Sequence, residues 1–246
     1  MKILGVIPAR YASSRFPGKP LVNIKGKPMV QHVYERAMQA KLLAEVVVAT
    51  DDKRIYDRVK GFGGKVVMTS ESCENGTDRC REVVEKHLPE YDVVINIQGD
   101  EPYVHPEQID KLCSLFESEM VALGTLAKQT HSADDILNPS RVKVVVDKSM
   151  DALYFSRSPI PFFRGEEKNE WGNHHTYFKH LGLYGYRKEA LLKYNQLKPS
   201  ELEKAEALEQ LKWLENGFKM RVGITEHNSY AIDTPEDLED LLKMDV

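Results

Sequence analysis

Residues 2–20, KILGVIPARYASSRFPGKP, join an apolar run to a small, basic segment broken by proline and glycine. KILGVIP reads as a buried strand, since a short continuous apolar run bounded by a breaker fits a strand covered on both faces. The overlapping loop, IPARYASSRFPGKP at 7–20, carries Arg10, Arg15 and Lys19, with Ala12, Ser13 and Ser14 between the cations. Open α/β sheets bind ligands outside the carboxyl ends of their strands, so these charges fall where such a fold would use them. Small residues let backbone N–H groups face a bound anion, while guanidinium forks and an ammonium suit the oxygens of a nucleoside triphosphate. The loop has neither the G-x-x-x-x-G-K-[ST] spacing of a P-loop nor the G-x-G-x-x-G of a dinucleotide site. A solvated basic turn is the competing reading, and the apolar strand directly before it weighs against that.

The basic charge is local. Every charged side chain before Glu35 is a cation (Lys2, Arg10, Arg15, Lys19, Lys25 and Lys27), yet the whole chain holds 34 basic and 38 acidic residues, a formal net charge of -4. A general nucleic-acid-binding surface is therefore not expected. MKILGVIP is too short and breaks too early for a secretory signal, and no run has the length of a membrane span. Cys73, Cys80 and Cys113 are odd in number and lack paired metal-ligand spacing, which fits reduced thiols of a cytoplasmic protein.

Outward from the first strand, MVQHVYERAMQA after Pro28 reads as an amphipathic helix with Met29, Val33 and Ala37 on one stripe. AEVVVATDD is a second strand, a helix over 53–60 stops at GFGG, and KVVMT is a third strand. GTDRCREVVEKHL is a helix whose start is marked by Thr77 and Asp78, and YDVVINIQGDEP is a fourth strand ending in an acidic turn. This alternation predicts a three-layer, Rossmann-like α/β fold with a mostly parallel sheet. From about Arg141 the rhythm changes: VKVVVD, ALYFS and FKHLGLYGYR are strand-like with few helices between, which predicts an antiparallel extension covering the ligand cleft. Next are two helices, KEALLKYNQ and the longer LEKAEALEQLKWLENG, then a strand KMRVGIT and a closing helix TPEDLEDLLKM. The stretch from Pro159 to Tyr177, rich in charge, glycine and histidine, is the candidate for a mobile lid.

Several side chains are candidates for chemistry. Asp100 in QGDEP ends an apolar strand beside the basic loop and could hold a divalent cation against phosphates, with Asp233 in YAIDTPED as a second acid. Either Asp could instead cap a helix, Asp233 the one beginning near Pro235. Arg79 in NGTDR could reach a base or a phosphate, or lie on the surface. Arg157, His180, Tyr184, Glu209 and Gln210 offer one cation and several neutral or acidic partners, as a polyhydroxylated acid requires, though on spacing alone each is more often structural.

IPARYASSRFPGKPL, VATDD, NGTDR, INIQGDEP, ALYFSRSPIP, KHLGLYGYR and LEQLKWLENG occur in that order over nearly the full chain. In this combination the sequence resembles the sugar-acid cytidylyltransferases. The resemblance implies a nucleotidyltransferase, a homodimer, that uses Mg²⁺, CTP and the sugar acid Kdo, and releases pyrophosphate while activating the sugar for lipopolysaccharide synthesis. It assigns Arg10, Arg15 and Lys19 to CTP, with the Ala9 backbone and Arg79 near the cytosine. Asp100 and Asp233 are assigned to the metal. Arg157, His180, Tyr184, Glu209 and Gln210 fall to the sugar, and Gln98 between the two ligands. Catalysis falls to Lys19, Arg15, Asp100 and Asp233. The chain would be a single domain over 1–246, with CTP handled by about 1–130 and the sugar and dimer contact by about 140–225. An amino-substituted Kdo, a nine-carbon sialic-type acid, and a noncatalytic nucleotide-sensing domain are the alternatives.

Overall fold

Strand β1 (Ile3–Pro8) is the one read from KILGVIP, and its side chains alternate: Ile3 and Ile7 pack to one face, Leu4 and Val6 to the other. Apolar residues on both faces need helices on both sides, because a bare face would leave them in water. The computed structural model describes residues 1–12, 16–228 and 230–243. A two-strand hairpin of β2 (Asn23–Ile24) and β3 (Lys27–Pro28) leads into α1 (Met29–Ala37). Next come β4 (Glu45–Thr50), α2 (Lys53–Gly61), β5 (Val66–Met68), α3 (Gly76–Glu82) and β6 (Val93–Asn96). The strands β5, β4, β1 and β6 lie in that order, all parallel.

Helices α1, α2 and α4 (Pro106–Ser114) bury Val30, Val33, Ile55, Val59, Ile109 and Leu112 against the Ile7 face. On the opposite face Cys80 and Val83 meet Leu4 and Val6. Each such side chain, fully withdrawn from water, stabilises the fold by about 1.5–3 kcal/mol before the entropy cost of ordering it. All three cysteines are free and buried.

The second half adds β7 (Leu123–Thr130), α5 (Ala133–Leu137), β8 (Lys143–Val146), β9 (Ala152–Ser156), α6 (Trp171–His174) and β10 (Tyr177–Arg187). It closes with α7 (Lys188–Leu191), α8 (Glu201–Glu206), α9 (Gln210–Glu215), β11 (Met220–Ile224) and α10 (Pro235–Lys243). The long sheet runs β11-β7-β10-β6-β1-β4-β5, with β8 and β9 attached beside β10. The antiparallel part is therefore not only an extension. Strand β10 is inserted between β6 and β7, antiparallel to both, and β8 and β9 form the outlying piece. Among the described residues, no helix is long and apolar enough to cross a membrane.

Three local expectations are corrected. The long helix read from LEKAEALEQLKWLENG is two helices, because Ala207 is left-handed (φ 51). At the break the Glu206 carboxylate accepts from Ser156 Oγ–H and from the Arg157 N–H. The start of α3 is capped by Asn75, whose side chain accepts from the Asp78 N–H, and not by Thr77 or Asp78. KEALLKYNQ is a short helix ending at Leu191 with a separate turn after it, Tyr194–Gln196. In the stretch expected as a lid, Trp171 is buried with Ile136 and Tyr177, and its Nε1 donates to Glu166 O at 3.1 Å. That stretch is thus anchored at its middle.

Candidate active site

Three distant segments meet beyond the carboxyl ends of β1 and β6. Gly99 lets the first two approach: a Cβ there would lie 2.6 Å from Pro8 O, a backbone atom that cannot swing aside. Lys19 opens a 3₁₀ turn entered through Gly18 at φ 72, a left-handed conformation natural to glycine. Asp233 arrives from the far end of the chain because Ile232 N–H donates to Asp100 O at 2.9 Å. Ile232 and Leu241 also pack with Ile24 and Met29 in a small apolar cluster of their own, which seats α10 beside the turn that carries Lys19.

The result is a cation between two acids. Lys19 Nζ lies 2.8 Å from Asp100 Oδ2 and 3.2 Å from Asp233 Oδ1. Thr234 Oγ1 accepts from Asp237 N–H, and Asp237 Oδ2 accepts from the N–H groups of Asp233 and Thr234. Capping of α10 thus falls to Thr234 and Asp237, and the Asp233 carboxylate turns to Lys19.

Lys19 and Asp100 edge a cleft of about 180 Å³ that is also lined by Ala9, Arg10, Asn75, Arg79 and Gln98. The Ala9 N–H is committed to Ala49 O at 2.9 Å. Arg79 is buried at 2 % exposure, its guanidinium donating to Thr69 Oγ1 and, at 2.9 Å, to Asp51 Oδ2. Arg15, with Ser13 and Ser14, lies outside the described residues.

A second cavity, about 810 Å³, adjoins along β10 and is lined by His180, Tyr184 and Gln210, together with Glu101, Asp135, Arg141 and Lys179. Its wall is shaped by a bulge in β10 between Leu181 and Tyr184, which re-aims the side chains on either side. Gln98 joins the two spaces: it lines the first cleft, and its Nε2 donates at 2.7 Å to Gly182 O in the wall of the second.

His180 Nε2 sits 2.9 Å from Thr125 Oγ1, whose hydroxyl donates to Leu183 O at 2.7 Å. With the hydroxyl proton so used, Nε2 must carry the hydrogen, which leaves Nδ1 as an acceptor. Burial pushes the His180 pKa down to about 3, so the ring is neutral. The Tyr184 hydroxyl donates to Gln210 Oε1 at 3.1 Å, and Gln210 Nε2, also buried, has no hydrogen-bond partner among the described residues. A buried donor without an acceptor is costly, and a ligand oxygen would satisfy it.

Two sugar-side candidates lie off the wall of either cavity. Arg157 donates to Pro139 O, Glu206 O and Ala207 O, clamping the loop after α5 to the break between α8 and α9. Glu209 hydrogen-bonds Thr77 and Tyr194, and burial raises its pKa. The cations on the wall are instead Arg141 and Lys179, both paired with Asp135. Burial alone would raise the Asp135 pKa, but hydrogen bonds from Arg141, Thr130 and Lys179 outweigh it and hold the carboxyl below its ordinary value. Sequence reasoning missed this trio, and it missed Lys143, fully buried with its ammonium on Asn138 O and Arg157 O. A lysine facing inward in VKVVVD was the available signal for Lys143.

A parallel β-sheet core with cations gathered after its first strand and two carboxylates meeting beside them defines an α/β nucleotidyltransferase. A family model described as cytidylyltransferase matches residues 4–224, and the chain belongs to that family. It is 53% identical over 246 residues to 3-deoxy-manno-octulosonate cytidylyltransferase of Parabacteroides distasonis, covering 98% of this chain and 97% of the relative. The enzyme of the same name from Thermodesulfovibrio yellowstonii is 52% identical over 245 residues, covering 97% of this chain and 96% of the relative. A solved structure of CMP:2-keto-3-deoxy-manno-octonic acid synthetase complexed with CTP superposes with a TM-score of 0.91 at 46% identity, covering 98% of this chain and 97% of that one.

Proposed function

We propose that this protein transfers CMP from CTP to 3-deoxy-manno-octulosonate (Kdo), giving CMP-Kdo and pyrophosphate. The observation that carries the reading is the Gln98–Gly182 hydrogen bond, which makes one wall continuous between a cationic cleft and a larger polar cavity. A two-substrate transfer needs such adjoining sites, and the relatives' shared activity supports the choice of CTP and Kdo.

In the reaction the anomeric hydroxyl of Kdo attacks the α-phosphorus in line. The bond to pyrophosphate breaks, and the hydroxyl proton passes to solvent. Protein chemistry here is positioning and charge neutralisation. Arg10 and Lys19 face the triphosphate from the cleft wall, and the sequence motif assigns Arg15 to the same substrate. Neutral His180 accepts from a sugar hydroxyl, the Gln210 Nε2 donates to a sugar oxygen, and Arg141 with Lys179 supplies positive charge toward the sugar carboxylate.

Asp100 and Asp233 fit a divalent cation, since both already converge on one positive charge, the Lys19 ammonium. Mg²⁺ bound there would supply Lewis-acid stabilisation of charge on the phosphates. Cytoplasmic location, a role in lipopolysaccharide synthesis and a homodimer belong to the same proposal. The dimer is supported by exposed Leu153 on β9 and exposed Phe162, at 62% and 70%.

A pyrophosphate-release assay with CTP, Mg²⁺ and a panel of Kdo, an amino-substituted Kdo and a sialic-type acid tests the reading. Turnover confined to Kdo is expected. Preference for another acid overturns the sugar assignment, and no release with any acid overturns the transfer itself.

A further inference from the structure

On the segments that follow Asp100 and precede Asp233, His105, Glu107 and His227 present donor atoms that all lie within 4.8 Å of one another. We propose that these three side chains form a second metal site, which takes a divalent transition ion such as Zn²⁺ or Co²⁺ in preference to Mg²⁺.

The donor set argues for the ion. Two imidazoles and a carboxylate match the preferences of Zn²⁺ and Co²⁺, whereas Mg²⁺ demands oxygen ligands. Glu107 is the site's own negative charge, opposed by Arg36 near His105 and Lys41 near Glu107, so the preference among divalent ions must come from coordinate bonds to the two imidazoles.

Geometry places the ligands within small motions of coordination. Glu107 Oε2 is 2.9 Å from His227 Nε2, and the rings of His105 and His227 are stacked with centroids 3.6 Å apart and planes 10° from parallel. Stacked rings aim their lone pairs along parallel planes, so the two imidazoles must splay to converge on an ion. Both rings are half-buried and Glu107 is exposed, which leaves room for that rotation. His105 Nδ1 also accepts from Glu107 N–H at 3.2 Å, a long bond whose donor can turn to water if the ring moves.

Gln108 bridges the two histidine-bearing segments: its Oε1 accepts from His105 N–H at 2.9 Å, and its Nε2 makes a long contact, 3.4 Å, to His227 O. An ion here would tie the start of α4, just beyond Asp100, to the segment between β11 and Asp233.

The test is a Co²⁺ titration of the metal-stripped full chain, read by visible absorption and calorimetry in millimolar Mg²⁺, with Zn²⁺ as competitor. One Co²⁺ per chain is expected, displaced by Zn²⁺ and not by Mg²⁺. His227→Ala and Glu107→Gln should each weaken it by about tenfold or more, and Asp100→Asn should leave it intact. Glu107 is exposed, so its variant keeps the fold even if a histidine variant does not. Unchanged Co²⁺ binding in Glu107→Gln, or its loss in Asp100→Asn or in the millimolar Mg²⁺ of the titration, overturns the proposal.

Discussion

Lys19 and Asp100 are joined by a 2.8 Å ion pair that Asp233 extends to a triad, so one ammonium offsets two converging carboxylates. Left to themselves the carboxylates would repel. Lys19→Met removes both that counter-charge and a cation facing the triphosphate. Turnover should fall by about 10²–10³-fold, the scale seen when one electrostatic stabiliser is lost. The rise in melting temperature caused by Mg²⁺ should be larger in the variant, because the ion no longer competes with an ammonium. A change confined to the KM for sugar would place Lys19 on the wrong substrate.

Asp100→Asn separates charge from architecture. The backbone bond from Ile232 to Asp100 O does not involve the side chain, so the two segments stay joined. The expected outcome is a near-native melting curve with turnover lowered roughly a thousandfold, and loss of bound Mn²⁺, read as a larger free-ion signal by electron paramagnetic resonance. Near-normal turnover over a Mg²⁺ titration would remove Asp100 from the metal.

Gly99→Ala tests the close approach of β1 to the segment after β6. The new Cβ meets Pro8 O at 2.6 Å, and relieving that overlap costs about 1–3 kcal/mol. The same displacement moves Asp100 and Gln98, and a shift near 1 Å costs on the order of 10²-fold in rate. Gly61→Ala is the control, with nothing within 4 Å of its added carbon. Equal melting temperatures and rates for the two variants would show that the approach is not tight.

Much of the fold and the cationic cleft was legible in sequence because it is local. The alternating apolar run of β1, the stripe of α1 and the turn after β6 that carries Gln98 and Asp100 are each set by residues within a few positions of one another. What escaped depends on partners far away in the chain. Ala207 breaks a good helical pattern because Glu206 is drawn to Ser156 and Arg157. Arg157 reads as a ligand cation, but backbone carbonyls 18 and about 50 positions away hold it. The Asp135, Arg141 and Lys179 trio has no periodicity to announce it, since Asp135 is on α5, Arg141 in the loop before β8 and Lys179 on β10. Even Asn75 was hidden by its neighbours, as Thr77 and Asp78 are equally good cap formers by type.

His180 gives the pH prediction, and its sign is set by burial. Its folded pKa is pushed down to about 3, below the ordinary value of 6.5, so between these values the unfolded chain binds the extra proton. The neutral ring's contribution is complete above pH 6.5 and is lost as pH falls toward 3. The ceiling is about 1.4 kcal/mol per pH unit, and because the ring lines a cavity that solvent can enter, the measured slope should fall short of it. Other groups titrate over the same range, so the useful quantity is a difference. Urea midpoints of the wild type and His180→Gln, compared from about pH 7.5 to about pH 4.5, should converge as the pH falls. A gap that stays constant would mean that His180 is not held neutral, and with it would go the reading of Nδ1 as an acceptor for the sugar.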